Sequence, residues 1–100
     1  MPTKDYNEFL FEQLQDPDLA ADYLSVAIEG GSTNEFLLAL RNVAEAHGGV
    51  GVLSDITDLN RQSMYKMLSE DGNPTLSSLL TVLRAVGLNV KFTSVEKGAA

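Results

Sequence analysis

Apolar positions in this chain recur mostly at intervals of three and four, the period of a helix packed on one side. The first clear case is DPDLAADYLSVAIEGG. Asp16 is a natural N-cap and Pro17 suits the first helical position. Leu19, Tyr23, Leu24, Ala27 and Ile28 share a stripe, and Gly30-Gly31 ends it. Ser32 or Thr33 opens a second helix. Its stripe is Phe36, Leu37, Leu40, Val43 and Ala44, and Gly48-Gly49 closes it. Val50, Leu53 and Ile56 then fit a two-turn helix. Asn60 caps RQSMYKMLSE, in which Met64, Met67 and Leu68 share one face. Pro74 bars helix continuation, and Thr75 caps LSSLLTVLRAVG with the stripe Leu76, Leu79, Leu80 and Leu83. Upstream, DYNEFLFEQL has weak periodicity and reads as an arm or a short helical turn.

The period changes once. In LNVKFTSV, Leu88, Val90 and Phe92 alternate with Asn89, Lys91 and Thr93, which predicts a strand. A lone strand in a helical chain needs a partner edge, most simply the same strand of a second copy. The expected organisation is an arm or short helix over 1–15, one domain over 16–95 and a flexible tail over 96–100.

Composition narrows the function classes. One hundred residues with 44% hydrophobic content suffice for one modest core. There is no cysteine, so there is no disulfide framework and no thiolate metal site. No apolar run approaches a membrane span, and MPTKDYNEF lacks the pattern of a signal peptide. A cytoplasmic protein with no membrane contact is the expectation. His47 is the lone histidine and stands at a helix end, where capping explains it better than catalysis. GGVG at 48–51 lacks the lysine and hydroxyl of a phosphate loop. No catalytic constellation, metal set or cofactor motif is present, so the chain does not read as an enzyme.

The net charge of −7 is unevenly placed. Residues 1–47 hold two basic and nine acidic side chains, whereas residues 48–100 hold five of each. The first half therefore faces something other than a polyanion. Acidic helices also serve solubility alone. A second reading joins Glu8, Glu12, Asp22 and Glu29 to the apolar Tyr6, Phe9, Phe11 and Tyr23 as a surface for a basic partner, and the same four aromatics equally fit a satellite core that seals the first helix.

In the neutral half, the outward face of 60–69 carries Gln62, Tyr65, Lys66 and Ser69, with Arg61 and Ser63 at its flanks. Arginine and glutamine near a helix start can reach guanine and adenine edges in a major groove, and a lysine one turn later suits phosphate. A short helix, a turn at Asp58-Leu59-Asn60 and this second helix form a helix-turn-helix pattern.

These residues resemble a specific family: small bacterial proteins described as probable addiction-module antidote proteins, within the Cro/phage-repressor-like helix-turn-helix superfamily. The likeness runs over residues 15–92. It is carried by DPDLAADYLSVAIEGG, by ALRNVAEAHGGV, and above all by LNRQSMYKMLSEDGNPTLSSLLTVLRAVGLNV. The resemblance implies an all-α, five-helix lambda-repressor-like domain. Its short C-terminal β-strand, predicted above, would pair across a dimer. It implies the antitoxin of a type II toxin–antitoxin module that neutralises a RelE/ParE-like toxin. It also implies autorepression of the shared operon, as a homodimer on double-stranded operator DNA. By matching positions, the first helix of the pair spans 50–57 and the recognition helix spans 60–69. Arg61, Gln62 and Lys66 are the expected base readers, with Ser63 and Tyr65 beside them. Asn60, Asn73, Thr75 and Ser77 are the expected phosphate contacts.

The chain departs from the family pattern where the first helix of the pair begins. Gly51 and Val52 replace the hydroxyl and glutamine that anchor phosphate, and Ser54 replaces a small alanine. Asp58 replaces the turn glycine, which an aspartate can do in a left-handed conformation. Asp55 and Asp58 would also repel DNA. Two alternatives therefore stand beside the first reading: a toxin-binding module with vestigial DNA binding, and a stand-alone Cro-like transcriptional regulator.

Overall fold

The structure is a computed structural model, and it describes residues 6–69 and 71–95. Six helices follow in order: α1 Tyr6–Leu14, α2 Pro17–Glu29, α3 Thr33–Ala46, α4 Gly49–Thr57, α5 Arg61–Met67 and α6 Leu76–Ala85. The all-α expectation holds, but with six helices rather than five. The extra one is α1. Its apolar pattern is weak by itself, yet Leu14 is buried and Leu10 and Phe11 pack against the core. Tertiary burial thus supplies what a nine-residue helix cannot supply alone.

The helix starts are set by local chemistry. Asp16 Oδ1 accepts from the N–H of Asp18, Ser32 Oγ from that of Glu35, and Thr75 Oγ1 from that of Ser78. Each bond satisfies an amide that the helix leaves without a partner. Ser32, rather than Thr33, is the cap of α3. At the other end of α6, Gly87 takes φ +87°. The N–H of Leu88 reaches Leu83 O at 2.9 Å, and that of Gly87 reaches Arg84 O at 3.0 Å. This paired closure needs a left-handed residue, and glycine adopts that conformation without strain.

One hydrophobic cluster joins all six helices. Helices α1, α2 and α3 pack on one another, α3 packs on α4, and α4 packs on both α5 and α6. Leu40, Val43, Ala44, Met64 and Val82 are fully enclosed. The expected stripe of α3 is buried except for the half-buried Phe36. Elsewhere the stripes are rotated. Helix α2 buries Ala20 and Leu24 but exposes Leu19 and Ile28, and α6 buries Val82 and Leu83, with its C-cap Val86, but exposes Leu76. Ile56 of α4 is exposed as well. These helices carry more apolar surface than the single-chain core takes up.

Among the described residues there is no strand, so the C-terminal strand expectation is corrected. Residues 88–95 are irregular, and Phe92 is 93% exposed. Strand pairing needs a second extended edge, and the described residues provide none. Residues 1–5 and 96–100, including the expected tail, lie outside the described residues. No helix among the described residues is long and apolar enough to cross a membrane.

His47 caps α3, as its position suggests, and also ties two elements together. Its Nε2 lies 3.2 Å from Leu14 O. A carbonyl only accepts, so the ring carries its proton on Nε2 in this contact. The histidine thus fastens the end of α1 to the end of α3.

Candidate nucleic-acid interface

The site is built on the α4–turn–α5 unit. Helix α4 starts at Gly48, which takes φ +105° and offers no side-chain cap. It ends at Asp58, the one non-glycine residue with positive φ among the described residues, at +61°. Aspartate tolerates this left-handed position better than most side chains do, which accounts for its taking the place of a turn glycine. The turn is secured by Thr57. Its Oγ1 donates to Leu53 O at 2.7 Å and accepts from the N–H of Leu59 at 3.3 Å. Leu59 packs against the core, so the turn is anchored from both sides.

Asn60 then sets the start of α5. Its Oδ1 accepts from the N–H of Gln62 at 2.8 Å and from that of Ser63 at 3.1 Å. Below the helix, Met64, Met67 and Leu68 are buried, as their shared face predicts. Above it, Arg61, Gln62, Ser63, Tyr65 and Lys66 are all exposed. The structure therefore brings the expected base readers together on one short helix.

Two expected phosphate contacts carry prior commitments. The Asn60 oxygen is used as the cap, which leaves its amide N–H groups for any further bond. The Thr75 hydroxyl caps α6 and donates to Ser78 Oγ at 3.0 Å. Asn73 and Ser77 are exposed on the loop and the first turn around it. They come from the α5–α6 connection, so they follow α5 directly.

The departures at the start of α4 have a local consequence that the sequence did not reveal. A Cβ built on Gly51 would lie 3.3 Å from a guanidinium nitrogen of Arg61. The absence of a side chain at 51 thus leaves room for Arg61 to rest against α4. Ser54 Oγ donates to Gly51 O at 3.0 Å, which occupies its hydroxyl within the helix. Asp55 and Asp58 are exposed on the same unit. Any polyanion here must be held mainly by Arg61 and Lys66 against these two carboxylates.

Replacing Asn60 with alanine isolates the cap. Asn60→Ala removes a double acceptor from a seven-residue helix and should cost about 1 kcal/mol. Urea denaturation followed by circular dichroism would read it. A change indistinguishable from zero would mean that packing alone holds α5.

No group of His, Cys, Asp and Glu among the described residues is arranged to hold a metal ion. The surface of α5 offers hydrogen-bond donors, two cations and a phenol, groups that can meet an anion.

The chain is 31% identical over 90 residues to a Haemophilus influenzae protein described only as uncharacterized, an alignment that covers 81% of this chain and 90% of the relative. No solved structure matches it. The family profile described as "Probable addiction module antidote protein" matches residues 5–94, nearly the whole chain and all six helices, and this protein belongs to that family.

Proposed function

We propose that this protein is the antitoxin of a type II toxin–antitoxin module. It binds and neutralises a RelE/ParE-like toxin, and it represses its own operon by placing α5 in the major groove of operator DNA. The observation that carries the DNA-binding part is the α4–turn–α5 unit. An asparagine-capped helix sits on three buried apolar residues and turns Arg61, Gln62, Ser63, Tyr65 and Lys66 outward. Membership of an antidote family supports the neutralising part.

With few cations per subunit, operator affinity is modest and its salt dependence shallow. A homodimer places two α5 helices about one DNA turn apart, which multiplies a weak single contact. The exposed apolar residues near the C-terminus support such a dimer. Ile28, Leu76, Val90 and Phe92 border a groove of about 540 Å³ beside α6. A second copy would cover it and bring residues 88–95 an extended edge to pair with. Truncation after Gly87 should therefore yield a monomer in sedimentation. A dimer that survives the truncation would place the interface elsewhere.

The deciding experiment is an electrophoretic shift with the DNA upstream of the gene, with and without the toxin encoded beside it, together with a toxin-rescue assay in growing cells. Rescue with a shift supports the full reading. Rescue without a shift under any condition favours the toxin-binding module, for which the acidic Asp55 and Asp58 speak. A shift without rescue favours a stand-alone Cro-like regulator.

A further inference from the structure

Three helices of the acidic half converge on a groove that the reader face does not use. Its volume is about 540 Å³. Each wall follows the helical spacing of i, i+3 and i+4. Leu10, Gln13 and Leu14 come from α1, Leu19, Asp22, Tyr23 and Val26 from α2, and Glu35, Leu38 and Ala39 from α3. Leu14 and Ala39 belong to the buried core, but Leu19, Val26 and Leu38 remain 41%, 71% and 57% exposed.

Single exposed leucines are ordinary, whereas apolar residues from two helices lining one concavity form a contiguous patch. The core does not need them, because α2 already buries Ala20 and Leu24 on another side. Among the described residues the groove's charged lining residues are Asp22 and Glu35, and none of its lining residues is a cation. Residues 6–47 as a whole carry eight carboxylates against Arg41. Some have structural reasons: Glu8, Asp18 and Glu35 stand in the first turns of their helices, where the helix dipole favours an anion. Asp22 lies in the middle of α2 and has no such reason.

We infer that this α1–α2–α3 groove is the docking site for a basic amphipathic segment of a partner protein. Apolar side chains of that segment fill the space between Leu19, Val26 and Leu38, and its cations meet Asp22, Glu35 and the surrounding carboxylates. Its identification with the toxin rests on the antitoxin reading above. An apolar anchor supplies most of the affinity, while the charge pattern speeds encounter and rejects acidic partners. No helix contributes to both the groove and the reader face, so one chain can engage protein and DNA at once.

The test uses the full chain and a Val26→Lys/Leu38→Lys variant. Both side chains are largely exposed, so the fold is retained, which circular dichroism checks. The probe is a synthetic amphipathic helical peptide with leucines on one face and lysines and arginines on the other. A matched peptide carries glutamate for every cation. Addition of the basic peptide to labelled protein should move the amide resonances of Leu19, Val26 and Leu38, and the variant should bind it at least about tenfold more weakly. Toxin affinity should fall by a similar factor, with the operator shift unchanged. Equal binding of the acidic peptide, resonance changes elsewhere, or wild-type toxin affinity in the variant would overturn the assignment. So would a wild-type dimer that the variant converts to a monomer, since the groove would then belong to a second copy. A wild-type chain that fails to neutralise the toxin removes the antitoxin reading instead, and the peptide measurements then decide the groove alone.

Discussion

Arg61→Glu combined with Lys66→Glu should abolish binding to promoter DNA and leave the fold intact. The two residues are the exposed cations of α5, and a base-edge or phosphate contact by each contributes about 1–3 kcal/mol of discrimination or affinity. Their joint loss weakens binding on the order of a hundredfold or more before repulsion is counted. Repulsion then adds to it. Each reversal changes the charge by −2, so the subunit goes from −7 to −11. The carboxylates of Asp55 and Asp58 would then face phosphate unopposed.

Stability should change little, for a reason specific to the two positions. Arg61 opens α5, where a glutamate suits the helix dipole, whereas Lys66 lies in its last turn, where a glutamate does not. Each effect is about 0.3–1 kcal/mol and they have opposite signs. A gel shift and a thermal melt on the same preparation separate binding from folding. Promoter binding that survives the double change would show that α5 is not the reading helix.

Met64→Ala should be the most damaging single truncation in the reading unit. Met64 is 0% exposed and lies directly beneath the outward face of α5. A seven-residue helix is too short to persist alone, so its existence depends on the Asn60 cap and on Met64, Met67 and Leu68. Truncating a buried methionine costs about 2–5 kcal/mol through lost transfer energy and the cavity left behind. A domain of this size has only about 5–15 kcal/mol in all. The melting temperature should fall by at least about 10 °C. Met64→Leu preserves most of the volume and should cost less than about 1.5 kcal/mol. Alanine at the neighbouring, half-exposed Tyr65 should leave the melt nearly unchanged. If Met64→Ala melts like the wild type, α5 is not held by its buried face. The same variant should also lose operator affinity in the cold, because a loosened α5 no longer presents Arg61, Gln62 and Lys66 together.

The reading face and its support were both legible in the order of residues from 57 to 69. Asn60 followed by polar residues at one phase and methionines at the other specifies a capped amphipathic helix, whichever partners it meets. Asp16, Ser32 and Thr75 work the same way, because an N-cap bond spans only two or three residues and needs no distant contact. Long-range contacts were not legible. The bond from His47 to Leu14 O joins residues 33 positions apart, and the rest of Arg61 against Gly51 depends on how α4 and α5 pack.

The sequence by itself determined the capped starts of α2, α5 and α6, the all-α class, the polar face of α5 and the concentration of acid in the first 47 residues. These follow from local hydrogen bonding, helical period and charge, which act over a few residues or over none. Only the tertiary structure decided that Tyr6–Leu14 is a helix, since its helicity comes from burial against the core. It also decided that Ile28, Ile56 and Leu76 stay exposed while Ala20, Val82 and Val86 go inside. A helical stripe is broader than the face one neighbour can cover, and the neighbour's position selects which edge is buried. The same reasoning explains residues 88–95. Alternation shows that a segment can pair, and the described residues of one chain offer it no second extended edge.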